Sequence, residues 1–340
     1  ENLRSNIEAL SHLVGVPMWA IVKSNAYGHS TETIVSEITN NKNQITHKII
    51  GFGVSSGEEA IALRKMIPQG RIAVFADGSD LPLTQLADQN IELSLTGWEM
   101  VERLNKYSGT AIPVHLKIET GLNRFGFELR DIPTLKTILP TLPIVVVGMY
   151  SHFSAVEEGY IQCAEVQLER FLWAAKVIDP KHSIPWHMAA TAASVSLPHS
   201  RFDHIRIGIG LYGLYPATII KKREIITLQP ILSWISKIIS IHNVKVRDTI
   251  GYGNTFIVTK PLTVAVIPVG YADGYDRRLS NKSDVIIAGK RCKIIGRVFM
   301  NTIIADVTDI VHLEGGGDPP SAGRDLLRGV VVGDEVVLVG

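Results

Sequence analysis

The chain reads as an α/β protein: an N-terminal (β/α)8 barrel followed by a mostly β C-terminal domain. Two observations predict this. Short β-branched or apolar runs alternate with amphipathic helical stretches over the first two-thirds, and helix-forming stretches become scarce from about Ile225 onward. Eight such runs are found: Trp19–Val22, Ile49–Val54, Ile72–Phe75, Ile91–Leu95, Val114–Ile118, Val145–Tyr150, Trp186–Ala189 and Ile205–Leu211. Between them, Gly57–Lys65, Gly97–Asn105 and Gln162–Val177 carry helical periodicity. Strands alternating with helices make parallel βαβ units, and eight of them close into a barrel with its active site at the carboxyl ends of the strands. A doubly wound open sheet is the rival, weakened because no Gly-x-Gly-x-x-Gly turn follows the first strand.

In the second part, Leu232–Val244, Leu262–Pro268, Asp284–Ile287, Lys293–Val298 and Thr302–Val307 read as strands. The expected division is a barrel over 1–222 and a β domain over 223–340. Gly315-Gly316-Gly317-Asp318-Pro319-Pro320 reads as a connecting loop.

The 340 residues are 46% hydrophobic and 20% charged, with a formal net charge of +1. That balance and the lack of a long basic run argue against a nucleic-acid or membrane-surface binder. Cys163 and Cys292 lie far apart and form neither a metal spacing nor a disulfide framework, so no metal and a cytoplasmic setting are expected. The chain opens on Glu1 and stops within a strand-like run, and both ends read as cut.

The most informative segment is Trp19-Ala20-Ile21-Val22-Lys23-Ser24-Asn25-Ala26-Tyr27-Gly28-His29. A lysine ending a core strand is costly to bury, so Lys23 should sit at the mouth of the barrel, where partial desolvation suits a Schiff-base amine. The same strand end also delivers Tyr27, and the other strand ends add Lys117, Glu119, Thr120, Arg124, His152, Thr191 and Arg206, the last just before Gly208-Ile209-Gly210. An amine, guanidinium groups, a flat imidazole, a hydroxyl and a Gly-rich backbone suit a phosphorylated aromatic aldehyde, pyridoxal 5'-phosphate, joined to Lys23.

At this point the chain resembles the alanine racemase family of fold-type III pyridoxal-phosphate enzymes. The Ala20–His29 block carries the resemblance most strongly. Lys117-Ile118-Glu119-Thr120-Gly121-Leu122-Asn123-Arg124-Phe125-Gly126, Arg206–Gly213, Gly251-Tyr252-Gly253 and Pro268–Gly274 support it. The resemblance implies a homodimer interconverting L- and D-alanine for peptidoglycan, by a two-base mechanism with Lys23 on one face and Tyr252 of the other subunit on the opposite face. It implies that Arg206 faces the pyridine nitrogen, while Tyr27, Thr191, Gly208 and Ile209 hold the phosphate and His152 packs near the ring. Arg124, Met300 and Tyr271 would meet the substrate, and Lys117 matches a position often carbamylated in the family. An arginine at the ring nitrogen donates without yielding its proton, which favours racemisation over transamination.

The sequence departs from the family pattern at three places: Ala190 where an asparagine is common, and Phe299 and Asn301 in Phe299-Met300-Asn301 where Cys-Met-Asp is common. The family's short N-terminal strand and its C-terminal segment, with a further tyrosine, are not represented. Competing readings are a serine or broad-specificity racemase, a non-catalytic pyridoxal-phosphate carrier lacking the β domain, and a decarboxylase wanting a carboxylate in place of Arg206.

Overall fold

The computed structural model describes residues 1–40, 48–76, 81–311 and 329–339. They form two compact units, Glu1–Ile231 and Leu232–Gly340. The Gly315–Pro320 loop and Gly340 lie outside the described residues.

The first unit is built on eight strands: β1 (Met18–Ile21), β2 (Ile49–Val54), β3 (Arg71–Val74), β4 (Glu92–Leu95), β5 (Ile112–Lys117), β6 (Ile144–Tyr150), β7 (Trp186–His187) and β8 (Ile205–Ile207). All paired neighbours are parallel, in the order β7-β6-β5-β4-β3-β2-β1-β8. A parallel bridge between Ala190 and Arg206 joins the two end strands and closes the barrel. The helices fall where the periodicity puts them: Gly57–Met66, Trp98–Asn105 and Ile161–Ile178.

Three expectations need correction, and one helix is added. The eighth strand stops at Ile207, because Gly208 turns the chain into a 3-10 turn over Ile209–Tyr212. The seventh strand ends at His187, two residues short of Ala189. A helix over Asn2–Val14 precedes the first strand; it buries Leu3, Ile7, Leu10 and Val14 at helical spacing. The first unit also runs past 222 to Ile231, since Ile226 and Leu228 are buried in the barrel core.

The barrel interior is unusual in its chemistry. Barrels are commonly filled by branched aliphatic side chains. Here Trp19, Phe75, His115, Tyr150 and His187 meet edge-to-face or stacked, with Tyr150 and His187 rings parallel at 5.2 Å.

The second unit has an antiparallel three-stranded sheet (Ser240–Val244, Leu262–Ile267, Ile303–Asp306) and a four-stranded sheet (Lys290–Lys293, Asp284–Ile287, Glu335–Val339, Trp234–Lys237). Ile238, Ile267, Val285, Ile287 and Ile303 lie in its core. The expected strand Leu232–Val244 is two strands in two sheets. The expected strand Lys293–Val298 is displaced to Lys290–Lys293: Ala288 and Gly289, both at positive φ, form a two-residue hairpin turn back from Asp284–Ile287. No helix among the described residues is long and apolar enough to cross a membrane.

Candidate active site

Lys23 lies two residues past the end of β1, half-buried at the carboxyl end of the barrel. The next four residues do something the sequence does not announce. Ser24, Asn25, Ala26 and Tyr27 all take φ between 53 and 56°, a left-handed turn of four L-residues. Such a turn costs about 1–2 kcal/mol per residue, so neighbours must hold it. The Glu59 carboxylate accepts the Ser24 amide at 2.5 Å and the Ser55 amide at 2.9 Å. Asn25 accepts the Thr31 amide at 2.9 Å, and the Ala26 amide donates to the Val22 carbonyl at 2.9 Å. The Tyr212 hydroxyl donates to the carbonyl of Ile21 while its ring packs on Tyr27 and His29. The turn aims Tyr27 across the barrel mouth, where a Cβ on Gly208 would stand 2.6 Å from the Tyr27 hydroxyl oxygen. Any side chain at this position would push the phenol aside.

Lys23, Tyr27, Arg124, His152, Thr191, Arg206, Gly208 and Ile209, drawn from five strand ends, line one cavity of about 290 Å³. Ile21, Val54, Phe75, Tyr150, Glu157 and Ala190 complete it. Of these, Glu157 is the charged group the sequence did not single out; it stands in the Val156–Tyr160 loop beside Glu158, without a motif around it. Burial and Glu158 push its carboxyl upward. Burial, with Glu157, also holds the Tyr27 phenol above its usual range, so it stays a donor.

Arg206 is buried and makes five contacts as a donor: to His187 Nδ1 (2.7 Å) and carbonyl (3.0 Å), the carbonyls of Ser151 (2.7 Å) and Met188 (3.0 Å), and His152 Nδ1 (3.2 Å). Both Nη atoms are thus engaged, and no carboxylate pairs with the group among the described residues. Burial lowers its pKa to about 10, so it remains cationic at neutral pH. Burial first, then the Arg206 charge, drives His152 and His187 well below the usual imidazole range, so both are neutral.

Lys117, at the end of β5, has its amine under the Tyr150 ring, 5.3 Å from the centroid. It donates to the Ile118 carbonyl at 3.0 Å and to Ser151 Oγ at 3.4 Å. Burial, aided by Arg206 and Arg124 against the opposing pull of Glu119, lowers its pKa to about 7. Glu119 accepts the amides of Gly121 and Arg124 and so shapes the loop that carries Arg124, whose guanidinium lies 4.7 Å from the Phe125 ring centroid.

Tyr252, Tyr271 and Met300 belong to the second unit and gather there. Tyr252 tips the hairpin joining Thr249–Ile250 to Phe256–Ile257, between Gly251 and Gly253 at positive φ, and is 66% exposed. Its ring is 5.2 Å from that of Phe299. The amides of Tyr271 and Ala272 donate to the carbonyls of Phe299 and Met300. Phe299, read as a departure from the family pattern, therefore packs directly on the hairpin tyrosine.

A closed barrel with a lysine at its mouth, followed by a β domain presenting a tyrosine hairpin, is the architecture of a two-domain racemase, an isomerase. Comparison with known proteins agrees. Residues 1–216 match the alanine racemase N-terminal domain and residues 231–340 the alanine racemase C-terminal domain. An alanine racemase of Leptospira interrogans is 33% identical, over 96% of this chain and 83% of its own. Alanine racemase 1 of Caldanaerobacter subterraneus subsp. tengcongensis is 31% identical, over 98% and 82%. Among solved structures, the biosynthetic alanine racemase of Pseudomonas aeruginosa superposes with a TM-score of 0.82 at 26% identity, covering 100% of this chain and 88% of that one. The Bacillus anthracis alanine racemase with bound L-Ala-P gives 0.79 at 25%, covering 99% and 84%. The chain belongs to the alanine racemase family.

Proposed function

We propose that this racemase interconverts L- and D-alanine with pyridoxal 5'-phosphate on Lys23, in the cytoplasm, supplying D-alanine for peptidoglycan. The observation that carries the reading is one cavity holding both the Lys23 amine and a buried Arg206 that can only donate. The donor set fits the cofactor. Lys23 would form its imine, and the Tyr27 and Thr191 hydroxyls with the Gly208 and Ile209 backbone would take the phosphate. Arg206 would meet the ring nitrogen and His152 would flank the ring. The cavity lies at the lower end of cofactor sites, which run from roughly 300 Å³ upward. When bound, pyridoxal phosphate supplies the electron sink that makes an α-proton removable.

The chain's own residues divide the remaining work. Lys23 exchanges the proton on one face of the substrate. In this reading the active form is a homodimer, and Tyr252 of the second copy exchanges it on the other face. Arg124, the Met300 amide and Tyr271 would receive the substrate carboxylate and guard the approach. Arg206 would leave the ring nitrogen unprotonated, because a guanidinium holds its protons. Lys117, its amine neutral in good part at pH 7, would add carbon dioxide: an N–C bond forms, a proton leaves, and the new anion orients Arg124.

Turnover of alanine, serine, lysine and arginine from both enantiomers tests the substrate. Alanine should dominate; equal or better turnover of serine or of the cationic amino acids assigns a broader racemase. No turnover of any of them overturns the reading in favour of a carrier. Lys23→Ala should abolish the visible absorbance of a lysine-linked cofactor, and survival of that band removes Lys23 from its role.

A further inference from the structure

Arg206 poses a problem that its own contacts do not solve. A guanidinium this deeply buried, with no carboxylate in contact among the described residues, needs its charge balanced and its orientation fixed. The hydrogen bonds leading away from it reach a carboxylate through two imidazoles. Arg206 Nη1 meets His187 Nδ1 at 2.7 Å, His187 Nε2 meets His115 Nδ1 at 3.0 Å, and His115 Nε2 meets Glu92 Oε2 at 2.7 Å. Arg71 closes the far end on both Glu92 oxygens, at 2.6 and 2.8 Å. Arg71 and Glu92 open β3 and β4, so the chain of bonds runs along the barrel interior from the amino ends of the strands to the cavity at their carboxyl ends.

The proton positions follow from donor chemistry alone. Arginine has no acceptor, so His187 Nδ1 must carry a lone pair and His187 Nε2 the hydrogen. That hydrogen requires a lone pair on His115 Nδ1, which places the His115 hydrogen on Nε2, facing Glu92. The carboxylate has only lone pairs to offer. Every bond therefore donates in one direction, from Arg206 toward Glu92, and no bond can reverse without setting two donors against each other. Burial keeps both imidazoles neutral, in keeping with a single hydrogen on each. The bonds from His115 and Arg71 outweigh burial at Glu92 and hold it ionised. Room has been left for the chain: a Cβ on Gly148 would stand 2.2 Å from His115 Nδ1.

We propose that Glu92, His115 and His187 form a one-directional relay that positions Arg206, fixing both histidines as Nε2–H tautomers and thereby holding the guanidinium as a donor at the cavity. They are positioning residues, since none is assigned a contact with the reacting atoms. The tautomer assignment stands on the barrel alone; its catalytic consequence rests on the reading that the cavity holds pyridoxal phosphate.

Nitrogen NMR of ring-labelled histidine in the whole protein, with and without added pyridoxal phosphate, reads the tautomers directly. Both His115 and His187 should show a protonated Nε2 and a bare Nδ1. A hydrogen on either Nδ1, or an imidazolium at either ring near pH 7, overturns the proposal. Glu92→Gln supplies the second arm. The amide nitrogen must face either Arg71 or His115, and both already donate. In this variant the amide opposes either an Arg71 N–H or the His115 Nε2–H, so the His115 nitrogen resonances should shift while Nδ1, still facing the His187 Nε2–H, stays bare. There kcat should fall at least about fivefold while KM for alanine holds, the lower end expected when a buried donor loses its acceptor. Glu92→Asp, which keeps the carboxylate, should retain the tautomers and recover most of kcat. Equal losses in the two variants with unchanged His115 resonances would show a merely structural role and sink the idea. If the wild-type protein never takes up a lysine-linked cofactor, the functional reading fails while the tautomer arm still decides the relay.

Discussion

Lys117 and Tyr252 carry the sharpest single-residue expectations. With a pKa lowered to about 7, the Lys117 amine is largely neutral above that pH, the form that reacts with carbon dioxide. Incubation with isotope-labelled bicarbonate should give a carbamate signal that rises between about pH 6 and 8 and is absent in Lys117→Met. A lysine that stays unmodified throughout removes the carbamate from the site. For Tyr252→Phe, racemisation from one enantiomer should lose roughly 10²–10⁴-fold, the size of a general acid–base contribution, with the opposite direction much less affected. Equal losses from both enantiomers would contradict a two-base scheme. Both residues could be marked in the sequence by the motifs around them. Glu92 and His115 could not, because neither stands in a glycine-rich block; only the barrel's closure sets them in line with Arg206.

At the scale of elements, the segment after β1 shows how position and conformation separate. The apolar run ending on Lys23 places the lysine correctly from sequence. The left-handed turn behind it was not legible, since Ser24, Asn25, Ala26 and Tyr27 carry no propensity for positive φ beyond that of Asn25. Long-range bonds from Glu59 impose it. Ser24→Gly should therefore stabilise the fold by about 0.5–1 kcal/mol, the relief of one strained residue less the entropy of a glycine. Glu59→Ala should cost roughly 1–3 kcal/mol by leaving the Ser24 and Ser55 amides without an acceptor. Urea unfolding midpoints measure both, and a destabilised Ser24→Gly variant would show that the turn is not under strain. Strand ends failed where glycine intervened: Gly208 ends the eighth strand early, and the Ala288-Gly289 turn moves a strand of the β domain forward.

Across the whole molecule, buried titratable groups set the response to pH. His115, His152 and His187 all lie below their usual range when folded, so the unfolded chain takes up protons near pH 6.5 that the folded chain refuses. Their contribution is present above that pH and is lost as pH falls. Lys117 acts in the same sense, its charge disfavoured in the fold, so stability rises further from about pH 7 toward 10. Glu92 and Glu119, held below the usual carboxylate range, add stability that disappears only at more acid pH. The urea midpoint should accordingly be lower at about pH 5 than at about pH 7.5, and Lys117→Met should flatten the rise above pH 7. A midpoint that climbs on acidification would contradict these assignments. The sequence by itself determined the barrel, the β domain and the ring of residues at the cavity, because strand periodicity and glycine-flanked motifs are local signals that survive without tertiary contacts. Only the tertiary structure decided the left-handed turn, the direction of hydrogen bonding behind Arg206 and the lowered pKa of Lys117. Each of these depends on which groups the closed barrel sets within a few ångströms of one another and away from water, and no local pattern encodes that distance.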